Sequence, residues 1–178
     1  MSGQTHTPLL REMGESHYGR KTVQPTRSKL RSFYKHAEQR LAYPTLWFNS
    51  AERQATAEAI DEVMKERRLT CYACAILSDH VHLLIRKHRL KGEQMREEIK
   101  QQTRRTLQTK RLVPPNHPVF SADVCDWYKS TPGEIRSCIS YIEDNFRKHR
   151  IPFVRYPFVV PYDGWPFAGG SRTTRHNV

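Results

Sequence analysis

The 178-residue sequence predicts an α+β fold, an antiparallel sheet with helices on one face. Three observations predict it. Residues 70–77 (TCYACAIL) and 80–87 (HVHLLIRK) are strand-forming runs separated by the turn-forming pair Ser78-Asp79. Residues 51–68 and 134–150 carry apolar side chains at helical spacing on either side of that hairpin. A polar stretch between them, roughly residues 91–111, keeps a helical period with a thinner apolar stripe.

In chain order, residues 1–28 are polar and basic with no sustained period, which predicts a flexible arm. One domain is expected over residues 29–165. It opens on a short helix over 29–41 that aligns Leu30, Phe33, Tyr34, Ala37 and Leu41. Ser50 is a good N-cap for the next helix, whose stripe is Ala57, Ile60, Val63 and Met64 and whose end is expected near Arg68. After the hairpin, the 91–111 helix buries Met95, Ile99 and Leu107, and its second half carries Lys100, Arg104, Arg105, Lys110 and Arg111. These five cations form either a solvated face or a phosphate-contacting one, and the charge of the chain favours the second. VPPNHP breaks the chain, and VFSADVCDWYKS, residues 119–130, reads as a further strand region. Thr131-Pro132-Gly133-Glu134 supplies a cap, a proline at the first helical position and a capping-box glutamate. That helix runs to about Arg150, where Pro152 stops it. The Pro- and aromatic-rich stretch beyond packs as irregular chain, and residues 166–178 are expected to be a disordered tail.

Thirty Lys and Arg against eighteen Asp and Glu give a formal charge of +12, which favours a polyanionic partner, nucleic acid being the commonest. No apolar run reaches membrane-spanning length and no leader opens the chain, so a cytoplasmic protein with no membrane partner is expected. Cys71 and Cys74 form a C-x-x-C pair, but an offset of three along a strand sends two thiols to opposite faces, and no second pair completes a zinc site. The four cysteines therefore read as small, reduced, mostly buried residues.

Two features carry chemistry. His80 and His82 flank Val81, so both imidazoles point one way while Val81, Leu83 and Ile85 point the other. On the last helix, Ile135, Ile139, Ile142 and Phe146 fall within about 60° of one another, with Tyr141 and Asn145 together on a flank. The plain reading is a partly exposed strand and a half-buried packing tyrosine. The sharper one makes Tyr141 a nucleophile and places the amide oxygen of Asn145 beside the two imidazoles as a third ligand to a divalent ion. Phosphate oxygens need neutralising before a phenolate can attack, and such an ion would neutralise them.

DHVHLLI followed about sixty residues later by YIEDN resembles the single-tyrosine HUH transposases, most closely the REP-associated tyrosine transposases. The resemblance spans roughly residues 46–165 and includes PYDGW near its end. It implies a ferredoxin-like fold, a divalent metal (Mg²⁺ or Mn²⁺), single-stranded or hairpin DNA as partner, and a monomer more than a dimer. It maps the histidine pair onto His80 and His82, the third ligand onto Asn145 and the nucleophile onto Tyr141, which would form a 5′-phosphotyrosine and leave a 3′-hydroxyl. The sequence departs from the family pattern at Asp79, where asparagine is usual, and at Phe146, where proline is usual. Residues 1–40 hold no convincing counterpart of the family's first strand, which is divergent or missing. A catalytically degenerate protein that holds hairpin nucleic acid is therefore the alternative. A metal hydrolase using His88 ranks lower, because His88 stands about 20 Å along an extended strand from His82. Tyr128, Tyr156 and Tyr162 lack an amide partner four residues on and read as packing residues.

Overall fold

The computed structural model describes residues 43–121 and 126–166. The chain divides into two compact units, Met1–Thr45 and Leu46–Val178. The expected arm, the 29–41 helix, the place of the divergent or missing first strand and residues 167–178 of the tail lie outside the described residues, as does the expected start of the domain at residue 29. Within the second unit the order is α1 (Ser50–Arg67), β1 (Cys71–Ile76), β2 (Val81–Ile85), α2 (Gly92–Thr109) and α3 (Pro132–Lys148). This is an α+β arrangement, with a two-stranded antiparallel sheet among the described residues.

Local chemistry sets each boundary. α1 is capped by Asn49 and not by Ser50: the Asn49 Oδ1 accepts from the Ala51 N–H at 2.7 Å, and Glu52 returns a carboxylate oxygen to the Asn49 N–H at 2.8 Å. Asparagine and serine cap about equally well, and the glutamate three residues after Asn49 decides between them. α3 begins as expected, with Glu134 accepting from the Thr131 N–H at 3.0 Å and the Thr131 hydroxyl accepting from the Glu134 N–H at 3.2 Å.

The three described helices end alike. The N–H of Arg68 bonds the Lys65 carbonyl and that of Leu69 the Met64 carbonyl; Arg111 and Leu112 repeat the pattern on α2, and Arg150 and Ile151 on α3. This is the Schellman closure, with an apolar residue folded back after the turn. In each case an arginine occupies the left-handed position, at φ 54°, 55° and 55°.

The hairpin turns through Ser78-Asp79, closed by the Leu77 N–H donating to the His80 carbonyl at 2.9 Å. Pairing sets Ile76 opposite Val81, Ala75 opposite His82 and Cys74 opposite Leu83, but Ala73 faces Leu84 and Cys71 faces Ile85. Tyr72 is thus an extra residue, a β-bulge. The bulge overturns the alternation expected for the thiols. Cys71 and Cys74 oppose Ile85 and Leu83, which share a face, so the two cysteines share it too. Both are free and buried. Burial, as expected, pushes the Cys71 thiol up to about 12 and the Cys74 thiol well above its usual value, which suppresses the reactive thiolate of both.

α1 and α3 pack against β1, and α2 packs on α1. Every position of β1 is buried, so both of its faces are covered, while β2 is half-buried throughout. The core gathers Ile60, Val63 and Met64 of α1, the β1 residues, Ile142 and Phe146 of α3, and Tyr156 and Phe158 beyond it. The C-terminal stretch adds to the sheet edge: Val159 bridges Cys71 in parallel, and the Val160 N–H donates to the Cys71 carbonyl at 2.9 Å. The strand expected over 119–130 is not formed among its described residues. Val119, the first residue of that run, sits at φ 65°, and Asn116 ahead of it at φ 64°, which curls the chain where a strand would begin to extend.

Candidate active site

The hairpin turn and the end of α3 meet. By register, His82 shares its face with Ala75 and Ala73 of β1, and the rim of α3 comes to that side. The Nε2 atoms of His80 and His82 are 3.1 Å apart, with the rings edge to face at 4.8 Å between centroids. The Tyr141 ring lies against His82 at 5.6 Å. Tyr141 is 53% exposed, with its ring resting on His82. One chain supplies both the tyrosine and the histidines.

Asp79 orients the pair. Its carboxylate accepts from His80 Nδ1 at 2.8 Å, which fixes the tautomer and leaves the Nε2 lone pair of His80 facing His82. His82 is lowered to about 4, first by burial and then by repulsion from His80 and His149, so it is neutral near pH 7. Two imidazoles whose ring nitrogens converge fit a metal: two ligand atoms about 2.1 Å from one ion stand about 3.1–3.4 Å apart at ordinary ligand angles. Among the described residues, no group of three His, Cys, Asp or Glu side chains is arranged to hold an ion. Asn145 is the third ligand expected from the sequence. The residue is 4% exposed, and its Nδ2 donates to the Tyr141 carbonyl at 2.7 Å, while no described residue donates to its Oδ1. Asn145 thus braces the backbone of Tyr141 and keeps an amide oxygen unspent.

Three residues that sequence reasoning did not assign join this group. The His149 ring, just past the end of α3, stands 5.1 Å from that of His80. Lys148 carries its ammonium 4.8 Å from the centre of the Tyr141 ring and 3.0 Å from Asp144. Asp79 is the third. The run Arg147-Lys148-His149-Arg150 is a visible charge cluster, and its closeness to Tyr141 was the signal available.

The five cations expected on α2 divide differently. Lys100 donates to the Ser121 carbonyl at 2.9 Å and Arg104 to the Pro118 carbonyl at 3.0 Å, so both hold the 112–121 loop. Lys110 pairs with Glu58 of α1. Arg105 and Arg111 alone are exposed without a side-chain partner among the described residues. His88 lies beyond β2, and its Nδ1 accepts from the Leu90 N–H at 3.2 Å, away from the pair. The other tyrosines serve elsewhere: Tyr156 is buried, Tyr162 bonds the Trp165 carbonyl, and Tyr128 reaches toward Gly92. Among the described residues, no helix is long and apolar enough to cross a membrane. Comparison with protein-family models, curated proteins and solved structures finds no match.

Proposed function

We propose that this chain is a metal-dependent nicking and joining enzyme for single-stranded DNA, a transposase of ferredoxin-like fold that works through Tyr141. One observation carries it: an exposed phenol rests against one of two convergent imidazoles, with a braced asparagine amide one helical turn away. The Tyr141 oxygen attacks a backbone phosphorus, the bond to the 3′-oxygen breaks, and the proton lost by the phenol is balanced by one taken up at the 3′-oxygen. The products are a 5′-phosphotyrosine and a free 3′-hydroxyl, and the retained ester lets a later hydroxyl reverse the step. His80, His82 and the Asn145 oxygen would hold a divalent ion, Mg²⁺ or Mn²⁺, that neutralises the phosphate charge. His82, neutral at working pH, needs no deprotonation before serving there. Because tyrosine and histidines belong to one chain, a monomer suffices.

Incubation of the protein with end-labelled single-stranded DNA and Mn²⁺, resolved on a denaturing gel, tests this. A covalent protein–DNA band is expected from the parent and none from Tyr141→Phe. Cleavage by that variant equal to the parent would remove Tyr141 from the role. Retardation on a native gel with no covalent band favours the hairpin-binding alternative.

A further inference from the structure

Each of the described helices closes on an arginine in the left-handed position, where glycine is the residue with no strain. Cations are favourable at a helix C-terminus because they offset its dipole, so all three arginines share that reason and it singles out none. Location separates them. Arg68 closes α1 just before β1 begins at Cys71, the end of the hairpin away from its turn. Arg150 follows His149, whose ring is 5.1 Å from that of His80 at the turn.

Arg150 is exposed and has no ion pair or side-chain hydrogen bond with a described residue. Its neighbours Arg147 and Lys148 share one carboxylate, that of Asp144, at 2.8 and 3.0 Å, so the turn keeps an excess of positive charge. Lys148 also leans over Tyr141. By contrast, Lys100 and Arg104 of α2 and Lys110 just after it are spent on carbonyls and on Glu58. The last carbonyls of α3 are already bonded through the Arg150 and Ile151 N–H groups, which reduces their repulsion of an incoming anion.

We infer that Lys148 and Arg150 form the phosphate-contacting rim of the site, receiving the backbone of a single DNA strand where it passes His80 and Tyr141. This rests on the proposal that the ligand is single-stranded DNA, but not on its being cut. The test is fluorescence anisotropy with a labelled single-stranded oligonucleotide, in EDTA, over a salt series, comparing the parent with Arg150→Gly, Arg68→Gly and Lys148→Gln. Glycine suits both left-handed positions, so both glycine variants should unfold at or above the parent's temperature. Arg150→Gly and Lys148→Gln should each weaken binding several-fold and flatten the log–log salt slope by roughly 0.7, while Arg68→Gly binds as the parent does. Equal binding by Arg150→Gly and the parent overturns the inference, as does an equal loss in Arg68→Gly, which would mean diffuse charge. No binding by the parent also overturns it. If Arg150→Gly binds normally while the parent forms the covalent band, the rim falls and the enzyme stands; if Tyr141→Phe cleaves, the nucleophile falls and the rim stands.

Discussion

His82 is the residue on which acid has the clearest predicted effect. An unfolded histidine takes a proton near 6.5, but this one resists until about 4, mainly because its half-buried ring loses hydration when charged. Between those values the unfolded chain binds the extra proton, so stability is full above pH 6.5 and falls as pH drops toward 4. Discounted for solvent screening of a partly exposed ring, the loss is about 1–2 kcal/mol. Urea unfolding in the presence of a chelator, at pH 7 and pH 4.5, should show a larger loss for the parent than for His82→Gln. Equal losses would mean the ring is not desolvated as described. The histidine pair and the Tyr141 flank were legible in the sequence because each depends on a local period, two residues on a strand and 3.6 on a helix. Lys148 obeys the same period, seven residues after Tyr141, and was overlooked; His149 was not legible, since its place beside His80 depends on how far α3 runs before its last turn.

Helix termini and helix contacts make separate predictions. Relieving left-handed strain at an exposed turn stabilises a fold by about 0.5–1 kcal/mol, so Arg68→Gly should raise the urea midpoint of unfolding. The lost dipole interaction works against this, and a lowered midpoint would show that the arginine's charge outweighs its strain. Between the elements, Thr56 of α1 and Thr103 of α2 are fully buried, and neither hydroxyl has a hydrogen-bond partner among the described residues. A desolvated, unpartnered hydroxyl costs about 1 kcal/mol or more. Thr56→Val and Thr103→Val should therefore each stabilise by about 1 kcal/mol in chemical denaturation, and destabilisation by both would reveal partners for those hydroxyls. Helix existence was legible because capping chemistry and stripes repeat within one turn, as Thr131 to Glu134 did. The Tyr72 bulge was not, because an extra residue is defined only against the opposing strand. The strand expected over 119–130 has the same origin: strand-forming side chains mark a run that could extend, but a ladder is defined only against a partner strand, and among its described residues none is paired.

Across the whole unit, the C-terminal stretch straps the hairpin at the end away from the histidines. Asp163 is its anchor, accepting from the Tyr72 hydroxyl at 2.7 Å, from Arg86 at 3.0 Å and from the Trp165 N–H at 3.1 Å. The Arg86 guanidinium also lies over the Trp165 ring at 5.4 Å. These bonds join the PYDGW segment to the bulged start of β1 and the end of β2, where Cys71 lies buried with Val159 bridged to it. A buried thiol reacts only when local opening gives it both water and reagent, because the thiolate is the attacking form and burial suppresses it. Weakening the strap should therefore appear as thiol reactivity before it appears as unfolding. With Cys125 and Cys138 replaced by serine, Asp163→Ala should speed native-state labelling of Cys71 and Cys74 tenfold or more, and Asp163→Asn, which keeps an acceptor for Tyr72 but not the charge for Arg86, should fall between it and the parent. DNA affinity in EDTA should stay at the parent's value, since Tyr141, His80, His82 and the α3 turn gather at the other end of the hairpin. A labelling rate unchanged by Asp163→Ala would mean that another contact, not this carboxylate, holds the segment down; a parallel loss of DNA affinity would mean that the two ends of the hairpin open as one.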